Sequence, residues 1–152
     1  MAAFERRSVR FLVIGGYAVG FHVEPRYTKD IDFWIATDRL NAEAVHAALR
    51  EFGAPLHGEG PEVFEDDDAF YFFGEPPNRV DILMGPPGGV AFDDAWSRRI
   101  TEIVQGVQLH FCARDDLIAL KWAAGRAIDK RDLRALRDSD PTKKTRRPRK
   151  KK

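Results

Sequence analysis

Asp30 and Asp32 stand two residues apart in DIDFWIA, residues 30–36, a segment otherwise built from Ile31, Phe33, Trp34, Ile35 and Ala36. Its β-branched and aromatic content predicts a strand, in which successive side chains alternate faces. Both carboxylates therefore point one way, and Ile31, Phe33 and Ile35 point into the core. Two anions on an otherwise apolar strand are costly to desolvate unless something compensates them. A divalent cation is the natural compensator, because carboxylate oxygens are hard ligands suited to Mg²⁺ or Mn²⁺. RVDIL, residues 79–83, repeats the logic, with Asp81 between Val80 and Ile82. If that strand lies beside 30–36 with its pleat in phase, Asp81 joins the pair. Three carboxylates can then hold two metals roughly 3.5–4 Å apart, the arrangement that serves in-line displacement at phosphorus.

Gly15 and Gly16 supply the other half of such a site. They stop the apolar run FLVI at 11–14, which reads as a buried strand. A glycine turn between strand and helix lets backbone N–H groups approach an anion with no Cβ in the way. The N-terminus of the short helix that begins in YAVGFH adds its dipole, and a triphosphate tail fits there. Pro25 ends that helix.

The remaining elements follow from spacing and punctuation. Asn41 to Phe52 has helical periodicity, with Leu40, Ala44, Ala47 and Ala48 on one face, Leu49 and Phe52 near it, Asp38 as its cap and Gly53 as its stop. Residues 53–68 are rich in Gly, Pro and acid and read as a loop. AFYFFG at 69–74 and RVDILM at 79–84 are strands separated by the turn GEPPN. Residues 91–99 form a short helix containing Trp96, and TEIVQGVQLHF at 101–111 is a hairpin turning at Gln105 and Gly106. Asp115 or Asp116 caps a helix through Leu117, Ile118, Lys121 and Trp122, and a last helix covers roughly Asp129 to Arg137. This order predicts an α+β domain, a mixed central sheet flanked by helices, and not a doubly wound parallel sheet.

Composition sets the outer bounds. A chain of 152 residues, 43% of them hydrophobic, fits one domain that needs no covalent staple. The domain is expected over 1–141, followed by a basic, disordered tail at 142–152. That tail, TKKTRRPRKKK, carries eight of the 25 Lys and Arg and no acid, which leaves 17 bases against 24 acids, a formal −7 for the rest. Its two readings are a solvated, solubilising end and an electrostatic contact with nucleic acid. The lone Cys112, the lack of a signal-like N-terminus and the lack of a membrane-length apolar run predict a reducing, cytoplasmic setting and no membrane partner. His22, His46, His57 and His110 have no zinc spacing, and no P-loop pattern is present. His22 reads as an ordinary helix-face histidine.

GGYAVGFHVEPRYTKDIDFWI, residues 15–35, resembles the opening motif of the nucleotidyltransferase superfamily shared with DNA polymerase beta. That motif is Gly-Gly or Gly-Ser, a short helix, then D-x-D. The likeness is to small bacterial nucleotidyltransferase-like proteins that include toxin and antitoxin components. GEPPNRVDIL, FDDAW and DLIALKWAAGRAIDKRDLRAL extend it over residues 11–137. The resemblance implies a nucleotidyltransferase fold in which Gly15 and Gly16 contact the phosphates of an NTP such as ATP. Asp30 and Asp32 hold both metals, and Asp81 completes the catalytic site. Arg26, Thr28 and Lys121 fall in matching nucleotide-binding segments. Lys121 lies beside a buried stripe; a triphosphate or an acidic partner is one reason for it, a snorkelling stem the other. Arg126, Lys130 and Asp132 read as a salt-bridged helix junction. The chain departs from the pattern at Gly16 and Tyr17, where many active members place serine.

Two functions fit. One is metal-dependent transfer of a nucleoside monophosphate to RNA, a protein or a small hydroxylated molecule. The other is a weakly active or inactive module serving as a toxin–antitoxin component or an RNA-associated factor.

Overall fold

A computed structural model of the chain describes residues 1–140. The expected tail at 142–152, and with it the domain boundary at 141, lies outside the described residues. Strands β1 (Phe11–Ile14), β2 (Asp30–Ile35), β3 (Phe70–Phe73), β4 (Arg79–Leu83), β5 (Ile100–Val104) and β6 (Val107–Phe111) form one sheet in the order β3-β4-β2-β1-β6-β5. The β2–β4 and β1–β6 pairs are parallel and the other three antiparallel, so the sheet is mixed, as the element order predicts. Helices α1 (Ala2–Arg6), α2 (Gly15–His22), α3 (Arg39–Phe52), α4 (Phe92–Ser97), α5 (Arg114–Ala124) and α6 (Ala127–Asp138) surround it.

The register that matters for function is β2 against β4. Asp32 faces Asp81 and Asp30 faces Arg79, so the pleats run in phase. One sheet face carries these groups. The other carries Ile31, Phe33 and Val80, which pack near Phe4 of α1 and Ala48 and Leu49 of α3. Phe4, Phe11 and Phe33 meet pairwise at ring-centroid distances of 5.3–5.5 Å and anchor that core.

Asp38 accepts from the Asn41 amide at 3.0 Å, and Gly53 closes α3 in the left-handed region, as the cap and stop residues predict. The buried face of α3 keeps Ala48 and Leu49 as expected but is rotated away from Leu40 and Phe52. Asn41, Ala42, Val45, Ala48 and Leu49 are buried, whereas Leu40 is 79% exposed. The run of alanines supports two helical stripes equally well. The choice falls to Asn41, whose side chain bonds Arg10 N, Arg10 O and Ala36 O and pins the helix to the end of β1 and β2. Neither Asp115 nor Asp116 caps α5. Its cap position is Ala113, the two acids sit in the first turn, and Asp116 is held by Arg98 through bonds of 2.8 and 2.9 Å. Helix α1 and a 3₁₀ turn at Pro61–Glu65 are not expected from the sequence. The hairpin turns where expected, at Gln105 and Gly106, both with positive φ.

Candidate active site

The sheet face that carries the carboxylates forms one wall of a cavity of about 790 Å³ between β2, β4, the start of α2 and the α5–α6 pair. Every site residue expected from the sequence lines it: Gly15, Gly16, Arg26, Thr28, Asp30, Asp32, Asp81 and Lys121. The loop 23–29 and the α5–α6 corner form the rest of the rim.

Asp32 is the electrostatic centre. Burial first, then the carboxylates of Asp81 and Asp30, push its pKa up to about 7, while Lys121 pulls it the other way. Asp32 and Asp81 face each other across the β2–β4 pair, so each carboxylate disfavours the charge of the other. Asp81 is also gripped by Arg79, whose Nε donates to Oδ1 at 2.7 Å. Arg79 stands two residues earlier on the same strand and lies 4.1 Å above the Phe72 ring. Arg79 is not expected from the sequence, although its period-2 spacing puts it on the same strand face as Asp81. Among the described residues no three His, Cys, Asp or Glu side chains form a ready metal cage. The donor set is nonetheless that of a hard divalent cation: oxygen-only, anionic, and short of positive charge at Asp32.

The two glycines are required by close approach. Gly15 has φ +67°, and a Cβ there would run into the Asp32 carboxylate. A Cβ on Gly16 would sit 2.8 Å from Thr28 Oγ1 and 3.0 Å from Arg26 Nη2. The space a serine would fill is thus taken by the Thr28 hydroxyl, which explains the departure at Gly16. No side chain caps the N-terminus of α2, and its first two residues, Gly15 and Gly16, line the cavity. Gly16→Ser is expected to force Arg26 and Thr28 outward and cost about 1–3 kcal/mol, the usual range for overpacking, measured by urea denaturation. A variant as stable as the parent would refute this account of the glycine.

One wall of the cavity is a buried ion network. Lys121 is 5% exposed, so its charge does not snorkel to water. Its Nζ meets Asp129 at 3.0 Å and Asp132 at 2.9 Å. Arg26 reaches Asp132 at 2.8 Å, tying the loop before β2 to α6. Arg126 bonds Asp129 at 2.7 Å, and Asp129 in turn caps the first turn of α6 by accepting from the Arg126 amide. Burial works against the Asp129 charge, but bonds from Arg126 and Lys121 outweigh it and hold its pKa below the usual value. The expected salt-bridged junction is present around Arg126 and Asp132; Lys130 is exposed and takes no part. Asp129 is not among the residues singled out from the sequence; its signal is the i, i+3 spacing to Asp132, which puts both acids on one helix face.

His22 Nε2 donates to the Cys112 carbonyl at 2.8 Å, a structural tie outside the cavity. Burial pushes the Cys112 thiol up to about 12, too high for a nucleophile at neutral pH.

A mixed sheet that sets D-x-D on one strand in phase with a third acid on its parallel neighbour, beneath a glycine corner and helix N-terminus, is the nucleotidyltransferase fold. The chain belongs to the AbiEii family, described as nucleotidyltransferase toxins of type IV toxin–antitoxin systems, whose family model matches residues 3–139. A crystal structure of an antigenic nucleotidyltransferase-like protein from Paracoccidioides brasiliensis is similar at TM-score 0.48 and 15% identity, covering 88% of this chain and 69% of that one. No curated protein matches the chain. Among the described residues no helix is long and apolar enough to cross a membrane.

Proposed function

We propose that the domain transfers a nucleoside monophosphate from an NTP to a hydroxyl-bearing acceptor in the cytoplasm, with Mg²⁺ or Mn²⁺ as cofactor. The observation that carries this reading is the convergence of Asp30, Asp32 and Asp81 on one cavity beside the uncapped N-terminus of α2. The three carboxylates would hold the cation, which supplies charge neutralisation at the reacting phosphate. The α2 amides, freed by Gly15 and Gly16, cradle the phosphates, and Arg26 and Thr28 border them from the loop side. Lys121 acts from the cavity wall, fixing α5 and α6 through Asp129 and Asp132. In the transfer the acceptor oxygen bonds the α-phosphorus and the bond from that phosphorus to the bridging oxygen breaks. Pyrophosphate leaves, and the hydroxyl proton passes to the Asp32–Asp81 pair. As a toxin of its family the protein would be opposed by an antitoxin partner.

The Arg79–Asp81 pair favours a second reading, in which the guanidinium stands in for the cation and the domain binds without turning over. Label transfer separates the two. Purified protein with α-labelled NTPs and Mn²⁺ is expected to label cellular RNA or protein, and Asp81→Asn to reduce that label to background. Mn²⁺ with NTP is also expected to raise the wild-type melting temperature, since a ligand of the folded state stabilises by mass action. No label in either fraction and no thermal shift would leave the binding module as the better reading.

A further inference from the structure

We infer that a second cavity, between the α1–β1 turn, α4 and β6, binds a small oxyanion that carries an apolar body, such as an aromatic carboxylate or an aryl phosphate. It measures about 260 Å³ and shares no lining residue with the carboxylate cavity. Phe4, Val9 and Phe11 give it apolar lining, and Arg99, His110 and Ser8 give it polar lining. Arg99 is short of a partner. Its neighbour Arg98 grips Asp116 through bonds of 2.8 and 2.9 Å, whereas no carboxylate among the described residues pairs with Arg99. The Arg99 guanidinium stands 3.9 Å from the Trp96 ring centroid, and its Nη1 donates to the Trp96 carbonyl at 2.8 Å. Its Nε is buried and bonded to nothing. A buried cationic N–H without an acceptor is costly. Nε and the adjacent Nη2 form the edge that a guanidinium offers, two bonds at once, to a carboxylate or a phosphate.

His110 meets the same indole, 4.9 Å away between ring centroids. Its Nδ1 is bonded with Thr101 Oγ1 at 2.8 Å, which leaves Nε2 for a ligand. Burial first, then the Arg99 charge, hold its pKa below the ordinary value, while Glu5 pulls the other way. Arg10 also lines the cavity, but Asp38 and Asp93 already occupy its two terminal nitrogens. Glu5 is the one acid on the lining, and it is exposed. Ser8 adds a hydroxyl. It stands just past α1 with φ +52°, where its amide bonds Glu5 O and the Val9 amide bonds Phe4 O. Glycine is the usual residue at such a left-handed helix end, and serine there keeps an Oγ at the cavity. Size selects the ligand further. An apolar cavity of about 150 Å³ holds a benzene ring, so 260 Å³ holds a ring with an oxyanion attached. A bare anion would leave Phe4, Val9 and Phe11 uncovered. A neutral ring would leave Arg99 Nε unbonded.

The test is titration calorimetry of the full chain with benzoate, phenyl phosphate, inorganic phosphate and benzyl alcohol, together with NMR of the histidine rings. Benzoate or phenyl phosphate is expected to bind at millimolar concentration or below. It should bind at least about tenfold more tightly than benzyl alcohol, the worth of one charge-assisted hydrogen bond. The tighter of the two aromatic anions assigns the ligand to carboxylates or to phosphate esters. Arg99→Gln is expected to lose at least about tenfold in affinity for it. Glu5→Gln removes an exposed like charge and should tighten binding by about two- to fivefold. On binding, the His110 resonances should shift and its pKa rise, because an anion favours the charged ring. His22, His46 and His57 do not line this cavity and should stay put. The Mn²⁺–NTP thermal shift should be the same in both variants as in wild type, since neither residue lines the carboxylate cavity. No heat and no His110 shift with either aromatic anion overturns the inference. So does benzyl alcohol or inorganic phosphate binding as tightly as they do, or a folded Arg99→Gln with unchanged affinity. Where Arg99→Gln does not fold, Glu5→Gln decides: weaker binding on removing that carboxylate overturns the site, and tighter binding supports it.

Discussion

Lys121→Met is expected to destabilise the domain by about 3–5 kcal/mol, the cost of removing one partner from a buried ionic cluster. Asp129 is 0% and Asp132 2% exposed, and among the described residues Lys121 is the one cation that touches both. Without it, Asp129 retains Arg126 and Asp132 retains Arg26, each a partner with more solvent around it than Lys121 has. Each carboxylate would keep one arginine more exposed than Lys121 and lose its one buried partner. Against a total stability of about 5–15 kcal/mol for a domain, such a loss is close to unfolding at 37 °C. Urea denaturation of wild type, Lys121→Met and the double variant Lys121→Met/Asp132→Leu measures it. The double variant is expected to recover part of the loss, because removing the stranded anion removes part of its desolvation cost. A single variant within about 1 kcal/mol of wild type would show that the cluster is not what fixes α5 against α6.

This cluster also marks where the sequence stops being legible. The carboxylate site is readable because strands have a period of two: Asp30, Asp32 and Asp81 can be assigned a face from their apolar neighbours alone. Their convergence then needs only the parallel β2–β4 pairing, which the register supplies. Arg79 obeys the same period, but an arginine next to a turn usually faces water, so the pattern alone does not single it out. Lys121 is placed beside the right stripe by its spacing, yet its partners lie one helix later, across the Gly125 corner, and no local pattern joins Lys121 to Asp132. On α3 the opposite problem arises. Alanine at 42, 44, 47 and 48 satisfies more than one helical face, and a polar residue, Asn41, decides between them by bonding to the ends of β1 and β2. Periodicity identifies a face when polar and apolar residues contrast; it fails where small residues are neutral or where a buried polar group makes the decisive contact.

Asp32→Asn is expected to make the metal-free protein more stable at pH 8 while removing its response to metal. The folded carboxyl has a pKa of about 7 against an ordinary 3.8, raised by burial and by Asp81 and Asp30. Between those values the folded chain holds a proton that the unfolded chain has released, so wild-type stability falls as pH rises from about 4 to about 7. Above pH 7 the cost of charging Asp32 is borne in full. Asparagine keeps the shape but carries no charge, so the slope across that window should largely disappear. At pH 8 the variant should exceed wild type by an amount on the order of a few kcal/mol, since each tenfold change in proton affinity between the unfolded and folded chain is worth about 1.36 kcal/mol. Divalent cation reverses the sign for wild type, because it binds the deprotonated carboxylate and expels the Asp32 proton. The Mn²⁺-induced rise in melting temperature should therefore be larger at pH 8 than at pH 5 for wild type and negligible at both for Asp32→Asn. Urea titrations and thermal melts in EDTA and in Mn²⁺, at both pH values, read these quantities. A wild type whose stability in EDTA is flat from pH 5 to 8, or a variant less stable than wild type at pH 8, would mean that Asp32 is already compensated, with Arg79 or Lys121 supplying the charge assigned here to the cation.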